Sequence, residues 1–425
     1  MISGMNDFLR LSARQAAADF RMAPRRARTL FQDERRAARA GTIRELRAAA
    51  RRRMPQVIFD YLEGAAEDEL TAGRNLSELR AVELLPHVLA DVSHIETSTS
   101  VLGRPVSLPL LGAPMGLTGL LHPGGEVALA RALGEAGSIS VLAAMASCPI
   151  EEVAAAVSQP TWFQMYIWRD RGLVEEMLQR ARGAGVSVLV VTVDVPCSGN
   201  RDRDRRNGFS VPPRVTSRAI AGGLAHPLWS WGFVRNPRMG WGNLPGGHGP
   251  SATALSAHTN RQFNPAATWD DLGWFRERWS GPLVTKGILH PGDARQAVRI
   301  GAQGIAVSNH GGRQLDGAPA AIRALPAVAD AVAGEAEVYL DGGIRRGADI
   351  VKALALGARA CLAGRALGYG LGAAGEPGVR RAVQILHEEL RTTLALAGCP
   401  SVHALNSSWV GCGAARTTFV NRSHE

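Results

Sequence analysis

The feature that most constrains the fold of this chain is a regular alternation of short apolar segments with helical stretches, which begins near residue 108. Each apolar segment has the length of a buried strand, and helical patterns separate most of them. Eight strands that alternate with helices predict a (β/α)8 TIM barrel of the α/β class. The predicted strands are 109–117, 139–144, 162–167, 186–194, 282–287, 304–309, 338–343 and 360–364.

An open doubly wound sheet is the alternative arrangement of the same elements. Such a sheet gathers its chemistry at one switch point in the strand order. Here, polar residues suited to chemistry follow nearly every predicted strand. That distribution favours the barrel, whose ligand site is built from the strand ends at one face.

Two segments depart from a minimal barrel. Residues 1–40 are predicted to be a basic N-terminal extension that could be disordered, and residues 41–425 to be the enzyme domain, which starts with an N-terminal helical cap. Residues 208–266, after strand 4, are predicted to be a long loop insertion rich in glycine, proline and tryptophan. A loop of this length inside a domain is usually a lid or a binding surface. A small satellite core around the tryptophans is the alternative.

The formal net charge of +10 is concentrated at the N-terminus. Residues 1–54 contain fourteen arginines and five acidic residues, so the rest of the chain is close to neutral. Such a head could bind anionic lipid or nucleic acid, could be a transit peptide, or could be a solvated basic helix. No recognised nucleic-acid motif accompanies the charge, so we expect no nucleic-acid partner.

The five cysteines are scattered, and no CxxC or Cys/His cluster occurs. This spacing indicates neither a zinc site nor a disulfide framework, so we expect no metal. No apolar run reaches the roughly 20 residues of a membrane span. We therefore expect a cytoplasmic protein, to which the basic head could add a peripheral contact with the inner membrane.

The segment 308–317, SNHGGRQLDG, has the most specific chemistry in the chain. It follows a predicted buried strand, which delivers His310 and Arg313 onto a glycine turn. A histidine can take a proton, and an arginine can bind a carboxylate through two hydrogen bonds. The pair predicts the oxidation of a small acid, although a histidine at a strand end can also be purely structural.

Two further glycine–arginine motifs end strands 7 and 8, namely DGGIRRG at 341–347 and AGR at 363–365. Barrels commonly bind a phosphate between these two loops, where glycines let backbone N–H groups approach the oxygens. Arg345 and Arg365 would neutralise the charge of the phosphate. The two motifs together predict a phosphorylated ligand.

Lys286, at the end of strand 5, narrows the choice of ligand. A lysine inside a barrel mouth is costly unless it faces an anionic partner. The N1–C2=O region of a reduced flavin is such a partner. Gln164 and Thr192 offer neutral hydrogen bonds that suit the pyrimidine edge of a flavin, although each could instead cap the backbone.

Further motifs in the same chain order are FDYLEGAAEDE at 59–69, APMG at 113–116, FQMY at 163–166 and TVD at 192–194. With them, the chain resembles the FMN-dependent α-hydroxy acid oxidising enzymes from about residue 42 to residue 401, and especially the bacterial L-lactate dehydrogenase and mandelate dehydrogenase branches. The resemblance implies that the protein binds FMN and oxidises an L-2-hydroxy acid, lactate- or mandelate-like, to the 2-oxo acid. It also implies a homo-oligomer, since tetramers are common in the family.

The resemblance implies a role for each site residue. His310 would be the active-site base, and Asp194 would orient it. The substrate would be bound by Tyr61, Tyr166, Arg201 and Arg313. FMN would be bound by Pro114, Met115, Gly116, Gln164, Thr192, Lys286, Ser308, Asp341, Gly342, Gly343, Arg345, Gly364 and Arg365.

The resemblance also suggests the electron acceptor. Gly116 matches the dehydrogenase members, whereas the glycolate oxidase type has alanine, so we expect a quinone or an electron-carrier protein rather than oxygen. An oxygen-using oxidase is one alternative, and an FMN barrel that acts on a different substrate, such as a modified peptide, is another. Tyr61, Arg201 and Arg313 argue against the peptide, because together they describe a pocket for a small carboxylate.

Overall fold

The computed structural model of the protein describes residues 33–209, 217–236, 238, 240–244 and 262–411. Its centre is a parallel sheet whose strands β1 to β8 are Leu110–Gly112, Val141–Ala143, Trp162–Tyr166, Val188–Thr192, Leu283–Ile288, Gly304–Ser308, Glu337–Asp341 and Ala360–Ala363. Strands consecutive in the chain pair from β2 to β8, and β8 pairs with β1. A bridge between Gly112 and Ser140 closes the ring. The predicted (β/α)8 barrel is confirmed.

Helices surround the barrel between its strands and after β8. They are Gly125–Glu135, Ile150–Ala155, Arg171–Gly183, Trp269–Arg278, Pro291–Arg299, Ala321–Val332, Gly347–Ala355 and Arg365–Ala397. Side-chain N-caps stabilise the first turn of some of these helices. For example, the side chain of Asp170 accepts a hydrogen bond from the N–H of Leu173. The last helix has 33 residues and bends at Ala374 and Gly375, just before Pro377.

The end of the barrel opposite the ligand-binding face is filled by side chains. One buried cluster contains Leu111, Val141, Trp162, Val188, Val190, Val284, Ala306, Tyr339, Ala360 and Leu362. Trp162 and Tyr339 meet edge to face, with 5.9 Å between their ring centroids. A hairpin of strands Thr99–Val101 and Arg104–Val106 packs against the same cluster. This end of the barrel is therefore a packed core among the described residues, and the open end lies at the C-terminal strand ends.

Three helices before the barrel, Ile43–Arg53, Gln56–Glu63 and Leu70–Ala81, form the predicted helical cap. Thr42 begins the first of them by accepting a hydrogen bond from the N–H of Glu45. Residues 33–38 are also helical, and the buried Asp33 pairs with Arg53 at 3.0 Å. Nε of Arg381 on the C-terminal helix also donates to the carbonyl of Ala40, so contact with the rest of the fold begins before residue 41. Residues 1–32 of the basic head lie outside the described residues.

The insertion between β4 and β5 is partly helical rather than a loop throughout. The short helix Asp202–Arg206 precedes it, and it contains the longer helices Ser217–Ala225 and Pro227–Arg235. Pro227 takes the first position of its helix, where a missing N–H costs nothing and a fixed φ suits the turn. Residues 210–216 and 245–261 of the insertion lie outside the described residues. In the part of the chain that is described, no helix is long and apolar enough to cross a membrane.

Candidate active site

The C-terminal ends of the barrel strands open into a cleft with about 1330 Å³ of empty space. All but two of the predicted site residues line it: Tyr61, Pro114, Met115, Gly116, Gln164, Tyr166, Thr192, Arg201, Lys286, His310, Arg313, Asp341, Gly342, Gly343, Arg345, Gly364 and Arg365. The other two, Asp194 and Ser308, lie behind this lining, and each is hydrogen-bonded to His310. The fold therefore brings together predicted site residues from the cap and from seven strand ends, and Met145, after β2, completes the lining from the eighth.

His310 is held in an uncommon backbone conformation. It and the two glycines after it have φ angles of 57°, 65° and 78°, all in the left-handed region. For a residue with a side chain this conformation costs of order 1–3 kcal/mol and is typical of functional sites. The N–H of His310 donates to Oγ of Ser308 at 2.9 Å, and Nδ1 of its ring lies 3.0 Å from Oδ1 of Asp194.

Burial controls the charge of this histidine–carboxylate pair. It lowers the pKa of His310 below its usual value, although the nearby Asp194 opposes the change. Burial alone would raise the pKa of Asp194, but His310 and Lys286 outweigh it and hold that pKa below its usual value. At neutral pH the pair is thus a neutral imidazole whose Nδ1–H donates to a carboxylate. No hydrogen bond within the described residues uses Nε2, which is left as a proton acceptor.

Two arginines with incomplete hydrogen bonding lie in the same cleft. Nη1 of Arg313 donates to the carbonyl oxygens of Tyr61 at 2.9 Å and Gly64 at 2.7 Å, while Nε and Nη2 have no partner among the described residues. Burial, reinforced by the charge of Arg201, lowers the pKa of Arg313 to about 9. Nε of Arg201 is also buried without a described partner. A bound carboxylate would accept hydrogen bonds from these unpaired N–H groups of both arginines.

The two tyrosines of the cleft differ in their contacts. The hydroxyl of Tyr61 donates to the carbonyl of Gly116 at 3.0 Å, and its ring stacks on Phe209 with 4.6 Å between centroids. Tyr166 instead packs edge-on against Phe263 at 5.5 Å. Burial raises the pKa of both phenols, so both stay protonated. The two phenylalanines belong to the insertion, and nothing in the sequence pattern singled them out.

The loop after β7 is shaped for the close approach of an anion. Gly342 and Gly343 have φ angles of 125° and 86°, and a Cβ at Gly343 would overlap the carbonyl oxygen of Asn75. Only glycine therefore fits at Gly343. Arg345 lies over the ring of Tyr369, 5.5 Å from its centroid, and brings positive charge to the loop.

The sequence predicted that Arg365 binds a phosphate, but in the structure most of its hydrogen bonds go to the protein backbone. Its guanidinium donates to three backbone carbonyls, those of Leu62 at 3.1 Å, Gly311 at 2.7 Å and Gly64 at 2.8 Å. It thereby ties the cap to the turn that carries His310. Two of its five N–H groups and its fixed charge remain for a phosphate.

Lys286 lies deeper in the cleft and already has an anionic partner. Its buried Nζ is 2.8 Å from Oδ2 of Asp341 and 3.1 Å from Oγ of Ser308, which itself donates to Asp341 at 2.7 Å. Burial would lower the pKa of Lys286, but Asp341 and Asp194 outweigh it and raise that pKa, so the group is a cation. Asp341 thus lines the cleft with its carboxylate committed to Lys286.

The polar groups of the cleft fit FMN at both of its ends. Both polar atoms of the Gln164 amide are buried and have no partner in the described part of the chain. An amide donor and acceptor of this kind match the pyrimidine edge of a flavin, and the cationic Lys286 matches its N1–C2=O side. The glycine loop with Arg345 matches the phosphate.

Asn75 of the cap is a structural residue of the site that the sequence analysis missed. Its side-chain amide exchanges two hydrogen bonds of 2.8 Å with that of Asn309, and its Oδ1 also accepts from the N–H of Ala321. The same residue packs against Gly343. Asn75 therefore fixes the cap against both the histidine turn and the phosphate loop, a role that arises only from contacts distant in sequence.

A second missed residue, Gln314, joins the two loops that carry the predicted catalytic side chains. Its Nε2 donates to the carbonyls of Asp194 at 3.2 Å and Cys197 at 2.9 Å, and its Oε1 accepts from the N–H of Gly199 at 3.2 Å. A Cβ at Gly199 would overlap the carbonyl of Arg313, so the two loops are in close contact. Gln314 thus fixes the loop after β4 relative to the loop after β6.

Replacing Gln314 with alanine should lower kcat/KM for a hydroxy acid about tenfold or more while FMN stays bound. Three hydrogen bonds would be lost, each worth about 0.5–1.5 kcal/mol, and 1.4 kcal/mol corresponds to a factor of ten. Steady-state kinetics together with flavin absorbance measure both quantities. Gln384→Ala, which removes an exposed hydrogen bond to Glu388, is the control. An unchanged kcat/KM in Gln314→Ala would exclude the positioning role.

A closed (β/α)8 barrel whose strand ends fit FMN places this protein in the class of barrel flavoenzymes. Residues 50–411 match the family described as FMN-dependent dehydrogenase, and the chain belongs to that family. The protein is therefore an FMN-dependent hydroxy acid oxidoreductase with FMN as its cofactor, as the motifs predicted.

Individual relatives agree with this assignment. L-lactate dehydrogenase of Xanthomonas euvesicatoria pv. vesicatoria is 45% identical over 368 residues, which cover 85% of this chain and 94% of the relative. L-lactate dehydrogenase of Chromohalobacter salexigens is 43% identical over 379 residues, with 88% and 96% covered. Among solved structures, the monotopic membrane protein (S)-mandelate dehydrogenase has a TM-score of 0.84 at 38% identity, covering 88% of this chain and 99% of its own. Mandelate oxidase has a TM-score of 0.75 at 40% identity, with 88% and 98% covered.

Proposed function

We propose that this protein oxidises an L-2-hydroxy acid, lactate- or mandelate-like, to the 2-oxo acid and passes the electrons to a quinone or an electron-carrier protein. The observation that carries the proposal is the 3.0 Å contact between His310 and Asp194, in a cleft that also holds Arg201 and Arg313. The names of the relatives, lactate and mandelate dehydrogenases, support the substrate class.

Each side chain has a task in this reaction. Arg201 and Arg313 bind the substrate carboxylate and so orient the carbon that bears the hydroxyl. Nε2 of His310 accepts a proton from the substrate, either from the hydroxyl or from Cα. Asp194 keeps the imidazole oriented through Nδ1 and stabilises the imidazolium that forms. FMN, when bound, would supply the two-electron acceptor that the oxidation of this carbon requires.

The pH dependence should follow the protonation of His310. Because burial lowers the pKa of His310, kcat/KM should stay high on acidification until the pH falls below the usual value of 6.5. In Asp194→Asn, the carboxylate that raises this pKa is gone, so the acid limb should move to still lower pH while the plateau falls. The pH profile of kcat/KM measures both, with Asp330→Asn on an outer helix as the control. An acid limb that moved to higher pH would contradict the assignment.

Features of the insertion support an electron acceptor that reaches the protein at a membrane surface. Its two longer helices expose four apolar side chains, each at least half accessible: Leu224, Leu228, Trp231 and Val234. On the opposite side, Nε1 of Trp229 donates to the carbonyl of Leu120 at 2.8 Å, and the adjacent Leu121 lines the cleft. We infer a peripheral contact with the cytoplasmic face of the inner membrane. The description of one solved relative as a monotopic membrane protein supports it. Assembly into a homo-oligomer stays a prediction.

An anaerobic substrate panel tests this function. L-Lactate and L-mandelate should bleach the flavin absorbance of the holoenzyme, and their D-enantiomers should not. The substrate-treated enzyme is then mixed with a soluble quinone or with oxygen in a stopped-flow instrument, and the quinone should restore the absorbance faster. Much faster recovery with oxygen would make the protein an oxidase, and no bleaching by any 2-hydroxy acid would refute the proposal.

A further inference from the structure

A second cavity lies between the N-terminal helices and the insertion. It contains about 1070 Å³ of empty space and shares no lining residue with the active-site cleft. Residues 225–228, where two helices of the insertion meet, form part of its wall. Four arginines line it as well, and we call it the arginine cavity: Arg36, Arg39, Arg52 and Arg53.

Two of these arginines are anchored. Asp33, which is only 3% exposed, pairs with Arg36 at 3.2 Å and with Arg53 at 3.0 Å. Arg53 also donates to the carbonyl of Ala373, at the bend of the long C-terminal helix. One buried carboxylate is thus shared by two guanidinium groups, which leaves this part of the wall positively charged.

The other two arginines are available to a ligand. Arg39 and Arg52 are exposed and form no ion pair with any described residue. Glu45 is the one acid that lines the cavity among the described residues, and its carboxylate accepts the N–H of Gly41. Counting the described residues alone, the cavity has a net positive charge and two guanidinium groups without an acidic partner, which suit an anion.

The arginine cavity borders the exposed apolar side of the insertion. Leu228 lines the cavity and is 51% exposed, and Trp231 and Val234 follow it at intervals of three residues along the same helix. At that spacing the three side chains share one side of the helix. A positive cavity beside a protruding apolar surface matches an anionic amphiphile, which has a charged head and apolar chains. A small soluble anion would contact the arginines but would leave the apolar surface of the insertion exposed to water.

We propose that the arginine cavity binds the phosphate headgroup of an anionic phospholipid while the adjacent apolar side of the insertion enters the bilayer. This site goes beyond the oxidation chemistry and uses no residue of the active-site cleft. It would make the membrane contact selective for anionic lipid. It would also fix the orientation of the barrel on the membrane, because the head and chain contacts lie on different segments of the chain.

Vesicle binding by the full-length holoenzyme tests the proposal. Co-sedimentation should be strong with vesicles containing phosphatidylglycerol and weak with vesicles of phosphatidylcholine alone. The double variant Arg39→Gln/Arg52→Gln should bind the phosphatidylglycerol vesicles roughly thirtyfold more weakly, as expected for two basic residues at an anionic surface. Arg80→Gln/Arg295→Gln removes two exposed arginines that form no ion pair among the described residues, and it is the matched control.

The outcomes distinguish a specific headgroup site from non-specific electrostatic attraction to the vesicle surface. Equal losses in the two double variants would overturn the site in favour of net charge alone. Equal binding of the unmodified protein to both kinds of vesicle would overturn it in favour of a purely apolar contact. Hydroxy acid oxidation with a soluble acceptor should be the same for all these proteins. A failure of the lipid site is therefore distinguishable from a failure of the proposed function.

Discussion

Replacing His310 with glutamine should slow the anaerobic bleaching of the flavin by L-2-hydroxy acid about 10²- to 10⁴-fold, the usual contribution of a positioned base. Glutamine can still form a hydrogen bond with Asp194, but it cannot take a proton at neutral pH. FMN should remain bound, because the loop after β7 and Lys286 do not depend on the imidazole. Stopped-flow absorbance gives the rate, and the released cofactor gives the FMN content.

The left-handed backbone at His310 requires a second variant. Asparagine tolerates this conformation better than glutamine, so His310→Asn separates loss of the base from backbone strain, and both variants should be equally slow. His403→Gln, at an exposed histidine, should bleach at the normal rate. Normal bleaching in either His310 variant would remove this residue from the role of base.

The sequence predicted the barrel because buried parallel strands leave continuous apolar runs at regular intervals. It overestimated the length of some strands, and the reason is physical. The predicted strand 109–117 is reduced to Leu110–Gly112, and the residues that follow line the cleft. Residues 113–117 are thus apolar or small because they border a ligand site, and a pattern of hydrophobicity cannot distinguish that burial from burial in a sheet.

The sequence also predicted most of the cleft, since motifs at strand ends must meet at one face of a barrel. It could not predict how individual donors are used. Arg345 and Arg365 follow similar glycine motifs, yet three N–H groups of Arg365 bind carbonyls of the cap and the histidine turn. Gln314 lies within the histidine motif but has no chemistry there that marks its role, and Asn75 lies in none of the motifs. Their roles depend on partners far away in the chain, which spacing alone cannot reveal.

The tryptophans of the insertion show the same limit. The sequence left open whether they form a surface contact or a small satellite core, and the structure places them in different environments. Trp229 stacks on Phe233 and packs towards the barrel, whereas Trp231, two residues later, is 58% exposed. Because two residues advance a helix by about 200°, the two indoles lie on opposite sides. Which side faces the barrel is decided by tertiary packing.

The second large effect is expected for Arg313→Lys, which should lower kcat/KM for L-lactate or L-mandelate about hundredfold or more. Nη1 of Arg313 is committed to the carbonyls of Tyr61 and Gly64, so the substrate must use the remaining edge, Nε and Nη2. A lysine has one ammonium group and cannot serve the carbonyls and a carboxylate in the same planar geometry. Each hydrogen bond to a charged group is worth about 1.5–3 kcal/mol, so losing two has an effect of this size.

A comparison of L-lactate with L-lactamide identifies the cause of the loss. The amide lacks the negative charge and the second acceptor oxygen, so the unmodified enzyme should strongly prefer the acid. Arg313→Lys should reduce this preference, because the two-point contact with the carboxylate is gone. Arg359→Lys, at an exposed position far from the cleft, should retain it. If Arg313→Lys kept both its kcat/KM and its preference for the acid, Arg201 alone would bind the carboxylate, and the bonds of Arg313 to the cap would be its whole function.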